Sequence, residues 1–358
     1  MSLADLASEL RTALRHLRRT PGFAMLAIGL LAAGVGAVTL VYSVVNGILL
    51  RPLPFARPAE LVGFQSVNLG KSIVQPGMSA ADFRDLHERV QSLASLGAYR
   101  PDFATWKRPG EQSVQLTAAL VTEDFFATLG VTPILGRTFA PTEFSMSSAR
   151  GALLSNAAWK RRFNSDPAVV GRTITLNEQP CTIIGVMPDA VREPAFVDVW
   201  LPFPSEAPEY FARDSRYWVA IGRLKPGATA ARVQAEAASI ATDLSRQFPD
   251  TNRNWTMRVS PLHELRVAGL ARGLLLLLAA TALLLLVACS NLANLLLARG
   301  LRRLGEMAVR QALGASAGRL LAQVLLENAV LGLAGGLLGV AGAVAVVKLV
   351  VNKLPPFL

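Results

Sequence analysis

The sequence predicts an α-helical membrane protein with an inserted α+β extracytoplasmic domain. Three observations predict it. Three apolar segments, Phe23–Leu50, Leu270–Ala298 and Leu320–Val351, each exceed the roughly 20 residues needed to cross about 30 Å of hydrocarbon. Mean hydropathy is positive, at +0.38, with 52% hydrophobic residues in a chain of 358. A long polar stretch, 51–268, separates the first apolar segment from the second and alternates between strand-like and helix-like patterns.

The net charge of +11 could suggest nucleic acid, but its distribution excludes that class. Residues 51–268 hold 24 Lys/Arg against 21 Asp/Glu, an excess of only three. The short stretch 299–319 holds five Arg and one Glu, and the first 22 residues hold four Arg and two acids. Basic residues crowded beside apolar spans are a topology signal and need no phosphate partner. They place the N-terminus and 299–319 in the cytoplasm and the 51–268 domain outside.

The organisation follows in order. Residues 1–22 carry Leu3, Leu6, Leu10, Leu14 and Leu17 at helical spacing beside Arg11, Arg15 and Arg18, an amphipathic helix on the membrane surface. Span 1 is 23–50. Its apolar run is about twice the 7–15 residues of a signal peptide's core, so it reads as a retained anchor. Span 2 is 269–298, the cytoplasmic loop is 299–319, span 3 is 320–351, and 352–358 is a short tail outside. Under this topology Cys181 is outside and Cys289 is within span 2, so they cannot pair.

Within 51–268, "LVGFQSV" (61–67) alternates as a strand. "MSAADFRDLHERVQSL" (78–93) is a helix capped by Ser79, with Phe83, Leu86 and Val90 on one face. Strands follow near 95–106 and 112–121. At the far end come a strand at 216–224, a helix at 229–248 capped by Thr229, and a closing strand at 254–262. The pattern βαββ…βαβ suits a split α+β sandwich with helices on one sheet face. These parts, about 51–121 and 211–268, enclose a stretch of different texture, about 122–210. It contains a short helix with a Gly stop ("TEDFFATLG"), a strand then a helix ("ALLSNAAWKRRF"), a hairpin around Asn177–Gln179, and a Pro-rich return, 188–208. It reads as a second subdomain.

No catalytic or metal constellation emerges. "GKS" (70–72) resembles the end of a phosphate-binding loop, but the leading Gly would fall at position 65, where Gln65 stands. "HERVQ" (87–91) and "HELRV" (263–267) lack the second His of a zinc-protease helix. The patterns S-x-x-K and G-x-S-x-G are missing. No residue is assigned as catalytic, as a metal ligand or as holding a cofactor.

Within the membrane, Glu327 lies about nine residues into span 3, roughly 13 Å along the helix. An intramembrane carboxylate is costly and usually faces a bundle interior; hydration at the headgroups is the other reading, and both stand. Asn291 and Asn294 suit either interhelical hydrogen bonds or interfacial solvation. Small residues recur four apart, at Gly29–Ala33 and Ala32–Gly36 in span 1 and at Gly332–Gly336 and Gly335–Gly339 in span 3, a spacing that permits close helix approach.

The cytoplasmic loop "RGLRRLGEMAVRQALGAS" (299–316) is longer than a connector requires. Leu301, Leu304, Ala308 and Ala312 share a helical face, Glu306 and Arg310 form an i, i+4 pair in the favourable order, and Gly314 is a natural stop. A topology-setting basic anchor and a lever for a cytosolic partner both fit this pattern.

The segment 291–339, with "EMAVRQALGAS" at its centre, resembles the core of MacB/FtsX-type ABC transporter permeases. "VVNGILLRPLPF", "VTEDFFATLGVTPILGRTF" and "LSNAAWKRRFNSDPAVVGRTITLNEQPCTIIGVMP" resemble the end of that family's first span and its periplasmic core domain. The resemblance implies a bacterial inner-membrane permease whose periplasmic domain has a porter-like part and an inserted part. It implies permease dimers working with a cytosolic ABC ATPase on a separate chain, which binds the ATP. Arg302, Arg303, Glu306, Arg310 and Gly314 would then be the coupling helix that contacts the ATPase.

The family has four spans, so the resemblance also implies a fourth, supplied by further sequence, by a second permease half as in duplicated relatives, or by a neighbouring chain. Two functions fit: an exporter driven by mechanotransmission, or a regulatory permease controlling an extracytoplasmic partner such as a cell-wall hydrolase. An apolar cavity between the two periplasmic parts would favour export; a flat exposed apolar patch would favour a partner.

Overall fold

The computed structural model describes residues 21–108, 110, 112–148, 150–191, 193–302, 304–313 and 317–353. The expected N-terminal amphipathic helix lies outside the described residues. The chain forms two compact units, Pro52–Arg266 and the flanking helical segments.

The helical unit contains three helices long and apolar enough to cross a membrane. Helix α1 is Pro21–Val45, with a π-helical turn at Asn46–Leu50.

The α+β unit begins with strands β1 (Leu61–Asn68) and β2 (Ile73–Gln75), helix α2 (Ala80–Arg89), then β3 (Leu93–Lys107) and β4 (Val114–Val121). The middle stretch contributes α3 (Phe125–Leu129), β5 (Leu135–Gly136), β6 (Arg150–Ser155), α4 (Asn156–Phe163), β7 (Thr173–Leu176), β8 (Gln179–Met187) and β9 (Val199–Pro202). The unit closes with β10 (Val219–Leu224), α5 (Ala230–Gln247), the short α6 (Pro249–Asn252) and β11 (Trp255–Pro261).

The chain continues as α7 (Leu262–Arg302), α8 (Leu304–Ala312) and α9 (Ala317–Lys353). Helix α7 starts at Leu262, immediately after β11, seven residues before the start expected for span 2. Its 41 residues make it about 60 Å long, twice the hydrocarbon thickness. At the other end it runs through Arg302, so the expected 299–319 loop is largely helix. Basic side chains favour a helix C-terminus, where they complement the dipole.

The strands form a sheet in the order β11-β1-β10-β3-β4-β9-β6-β8-β5, with β2 added to β1 and β7 bridging β3 and β8. Period-two burial dictates the layering. Val62 and Phe64 of β1, Leu96 and Ala98 of β3, and Ala220 of β10 share one core with Phe83 and Leu86 of α2 and Val233, Ile240 and Leu244 of α5. Both expected helices therefore cover the same face. Their caps are the expected ones: Ser79 Oγ accepts from Asp82 N at 3.0 Å, and Thr229 Oγ1 from Arg232 N at 3.3 Å.

The opposite face is also covered. Leu61, Tyr99, Val121 and Ile221 pack with Phe125, Phe126 and Leu129 of α3, and with Leu53, Phe55 and Leu262. Gly97 makes this possible, because a Cβ there would lie 2.4 Å from the Phe125 Cα.

The expected second subdomain is not a detached body. Its strand β9, missed in the Pro-rich run, pairs parallel with β4 from Ala118↔Val199 to Val121↔Pro202, and β7 pairs with β3. The change in sequence texture marks a third core along one sheet, built on Trp106, Leu116, Leu154, Phe163, Ile174 and Ile183. The expected hairpin turns at Asn177 and Glu178, both at positive φ (49° and 64°). "GKS" is the β1–β2 hairpin turn, with Asn68 Oδ1 accepting from Lys71 N at 3.0 Å.

Asp82 fastens the return segment to α2. It is 1% exposed and accepts from Arg213 at 2.8 Å, Arg216 at 2.6 Å and Asn252 at 2.9 Å. Arg213 also lies over Phe248 and Arg216 over Trp255. Asp82→Ala leaves two largely buried guanidinium groups without their shared carboxylate, and is expected to destabilise the protein by about 3–5 kcal/mol. Asp102→Ala, which breaks a more exposed pair with Arg100, is expected to cost under about 1 kcal/mol. Denaturant unfolding of the full chain in detergent, followed by tryptophan fluorescence, compares the two.

Candidate functional site

In the helical unit, α1 and α9 meet through small residues. A Cβ on Gly339 would lie 2.7 Å from the Ala32 carbonyl oxygen, and one on Gly36 would lie 3.2 Å from the Gly339 carbonyl oxygen. Gly335 abuts Leu31, and Gly34 receives Leu285 of α7. Of the four span-3 glycines singled out in the sequence, Gly335 and Gly339 face α1, while Gly332 and Gly336 have open space at the Cβ position. Gly29 is also open, so the contact uses the Ala32–Gly36 pair.

Ala27, Leu292 and Leu331 form a small core between the three helices, with Phe23 and Leu296 packed against it. Glu327, one turn before Leu331, is 5% exposed. The Arg299 guanidinium lies 4.5 Å above the Phe23 ring, tying the end of α7 to the start of α1. Asn291 and Asn294 are exposed on α7.

The loop helix α8 is amphipathic, and Leu304 and Val309 on it are exposed. Arg302 belongs to the last turn of α7 and not to this helix. Glu306 and Arg310 sit on α8, but their side chains lie outside the described residues, as do Arg303 and Gly314.

Within the α+β unit, the first turn of α7 is built into the domain core. Leu262 is buried, and Leu265 fills the notch left by Gly63, where a Cβ would be 2.6 Å from its methyl. Arg266 donates to the Glu193 carboxylate, which also accepts from the Tyr99 hydroxyl at 3.0 Å. The Arg266 guanidinium lies over the Phe55 ring. Burial and the adjacent Glu193 carboxylate push the Tyr99 phenol far above its usual range. On the same side, buried Arg223 donates to the Thr128 carbonyl at 2.9 Å and to Glu60 at 3.2 Å, holding the Arg57–Glu60 turn. Sequence reading missed this network, since its members are scattered over more than 200 positions.

A pocket lies where the two expected parts of the domain meet. Phe83, His87 and Leu96 come from the first part, Phe144, Phe203, Ser205 and Tyr210 from the second, and Thr122, Glu123 and Asp124 from the junction.

Three membrane-length helices flanking a mixed α/β domain define a multi-span membrane protein with a large domain inserted after its first span. A family model described as the MacB-like periplasmic core domain matches residues 24–240, and one described as the FtsX-like permease C-terminal matches 278–357. The chain belongs to the MacB/FtsX-type ABC transporter permeases. Relatives include the macrolide export ATP-binding/permease protein MacB of Chromobacterium violaceum, 27% identical over 67% of this chain and 37% of that one. The MacB of Neisseria meningitidis serogroup A is also 27% identical, with the same coverage. The chain thus spans about a third of the length of these relatives. Among solved structures, the periplasmic region of MacB from Actinobacillus actinomycetemcomitans matches 64% of this chain and 96% of that chain, at 14% identity and a TM-score of 0.44.

Two expected outcomes follow from the geometry. Gly339→Leu forces α1 and α9 apart and lowers the melting temperature in detergent, whereas Gly336→Leu, with open space, leaves it within about 1 °C of wild type. Arg266→Met keeps an apolar body on Phe55 but removes the charged donor from Glu193, and is expected to cost about 2 kcal/mol in denaturant unfolding.

Proposed function

We propose that this chain is the membrane subunit of a MacB-like ABC exporter, in which a separate cytosolic ATPase drives motion of the spans and the periplasmic domain. The observation that carries the reading is helix α7. It starts on the closing strand of the domain with no linker and ends at Arg302, beside the amphipathic α8. In this reading α8, with Arg302, Arg303, Glu306, Arg310 and Gly314, is the contact with the ATPase, which binds the ATP. The N-terminus is cytoplasmic, the α+β domain is periplasmic, and a second permease copy or half completes the assembly.

A push on α8 would be passed along α7 to Arg266, Glu193 and the sheet edge. The small-residue contact between α1 and α9 lets the spans move as a packed group. This is mechanotransmission from the cytosol, with the chemistry of hydrolysis on the partner chain.

Export is favoured over regulation by the pocket at the junction of the two periplasmic parts, since a concave, aromatic-lined site suits a small cargo. The regulatory alternative, control of an extracytoplasmic partner such as a cell-wall hydrolase, draws on the β1–β2 hairpin, where Leu69, Ile73 and Val74 are exposed.

Glu306→Lys and Gly314→Pro are expected to reduce co-purification of the cognate ATPase by about tenfold, which corresponds to roughly 1.4 kcal/mol. Leu69→Ser on the hairpin should leave it unchanged. Undiminished ATPase capture by the two loop variants would remove α8 as the coupling element.

A further inference from the structure

We infer that the pocket beside α2 binds a small apolar cation, a protonated amine carried on a single aromatic ring or short alkyl chain. Binding is a property of the pocket geometry; that the amine is cargo rests on the export reading.

Size sets the apolar part. The cavity measures about 110 Å³, less than the roughly 150 Å³ that encloses a benzene ring, so a ring enters it only in part. The open side accommodates the remainder of the ligand. Phe83, Leu96, Phe144 and Phe203 are each at most 5% exposed and make a preformed apolar floor, with Tyr210 at the side. Aromatic faces attract a cation brought against them.

Charge sets the polar part. The lining includes the carboxylates of Glu123 and Asp124 and no lysine or arginine. Two guanidinium groups stand near but outside the lining, Arg100 over Phe203 and Trp218 and Arg84 over Phe211. An anion would meet two carboxylates; a neutral ligand would leave them unused.

His87 shows what the carboxylate accepts. Its Nε2 lies 3.0 Å from Asp124 Oδ2, and its ring packs 5.9 Å from that of Phe83. An imidazole packed on an aromatic ring already hydrogen-bonds the carboxylate at the mouth. The bond to Asp124 raises the His87 pKa, against the opposing effect of burial, with Glu88 and Glu123 adding to the rise.

The test is isothermal titration of the full chain in detergent with phenethylammonium, 2-phenylethanol and phenylacetate, which share one ring and differ in charge. The ammonium is expected to bind about tenfold more tightly than the alcohol, with phenylacetate weakest. The double variant Glu123→Gln, Asp124→Asn is expected to lose that advantage while keeping the affinity for the alcohol. Both side chains are partly exposed, and an unchanged melting temperature checks that the variant is folded.

Equal binding of ammonium and alcohol, or an ammonium affinity untouched by the double variant, overturns the assignment. Transport assays on vesicles containing the assembled transporter judge the export reading separately. Selective binding without transport defeats only that reading, and transport of other cargo without ammonium binding defeats only this inference.

Discussion

The α+β domain is tethered to a membrane span at both ends, so its two ends must come together. The structure meets this constraint by making the first and last strands neighbours. β1 and β11 pair antiparallel from Val62↔Pro261 to Asn68↔Trp255. Everything else in the domain is arranged around that pair. β10 must add to the other side of β1, β3 to β10, and the remaining strands extend outward in one direction. The two main helices fall on one face, because the crossovers that return the chain to this edge carry them there. The opposite face is left to α3, Phe55 and the first turn of α7.

That second face holds both ends of the domain. It is where the chain beyond span 1 and the chain approaching span 2 are fixed to the sheet, through Arg223 and Glu60 on one side and Arg266, Glu193 and Tyr99 on the other. Of these, Arg223 and Glu193 have low exposure, and each is held by more than one partner. A buried ion pair contributes little net stability compared with an apolar substitute, but breaking one partner away is costly. The same logic applies at Asp82, which binds two arginines and an asparagine from distant segments.

Much of the fold was legible in the sequence because its signals are local. Hydrophobic runs longer than a bilayer is thick can only be helices, since hydrocarbon offers no partner for free backbone groups. Ser79 and Thr229 announced their helices by capping chemistry. The alternation of 61–67 announced β1 as a strand. The misreadings have equally physical causes. The short β9 was hidden among prolines, and its parallel pairing with β4 cannot be inferred from either segment alone. That the helix of span 2 begins as early as Leu262 is hidden by His263, Glu264 and Arg266, polar residues that give no apolar signal. Of the candidate site, spacing picked out a small-residue surface on α9, but not which of its glycines approach α1.

The sequence by itself determined the three apolar segments long enough to span a membrane, the excess of basic residues beside them, the family resemblance and most of the strands and helices of the domain. Each of these depends on composition or on residues within a few positions of one another. Only the tertiary structure decided that the domain is one continuous sheet, that Gly335 and Gly339 rather than Gly332 and Gly336 meet α1, and that Arg266, Glu193 and Tyr99 form one network. It alone brought Phe83, Asp124 and Phe203 around a common pocket. These features depend on contacts between residues tens to hundreds of positions apart, which arise only when the sheet closes and both of its faces are covered.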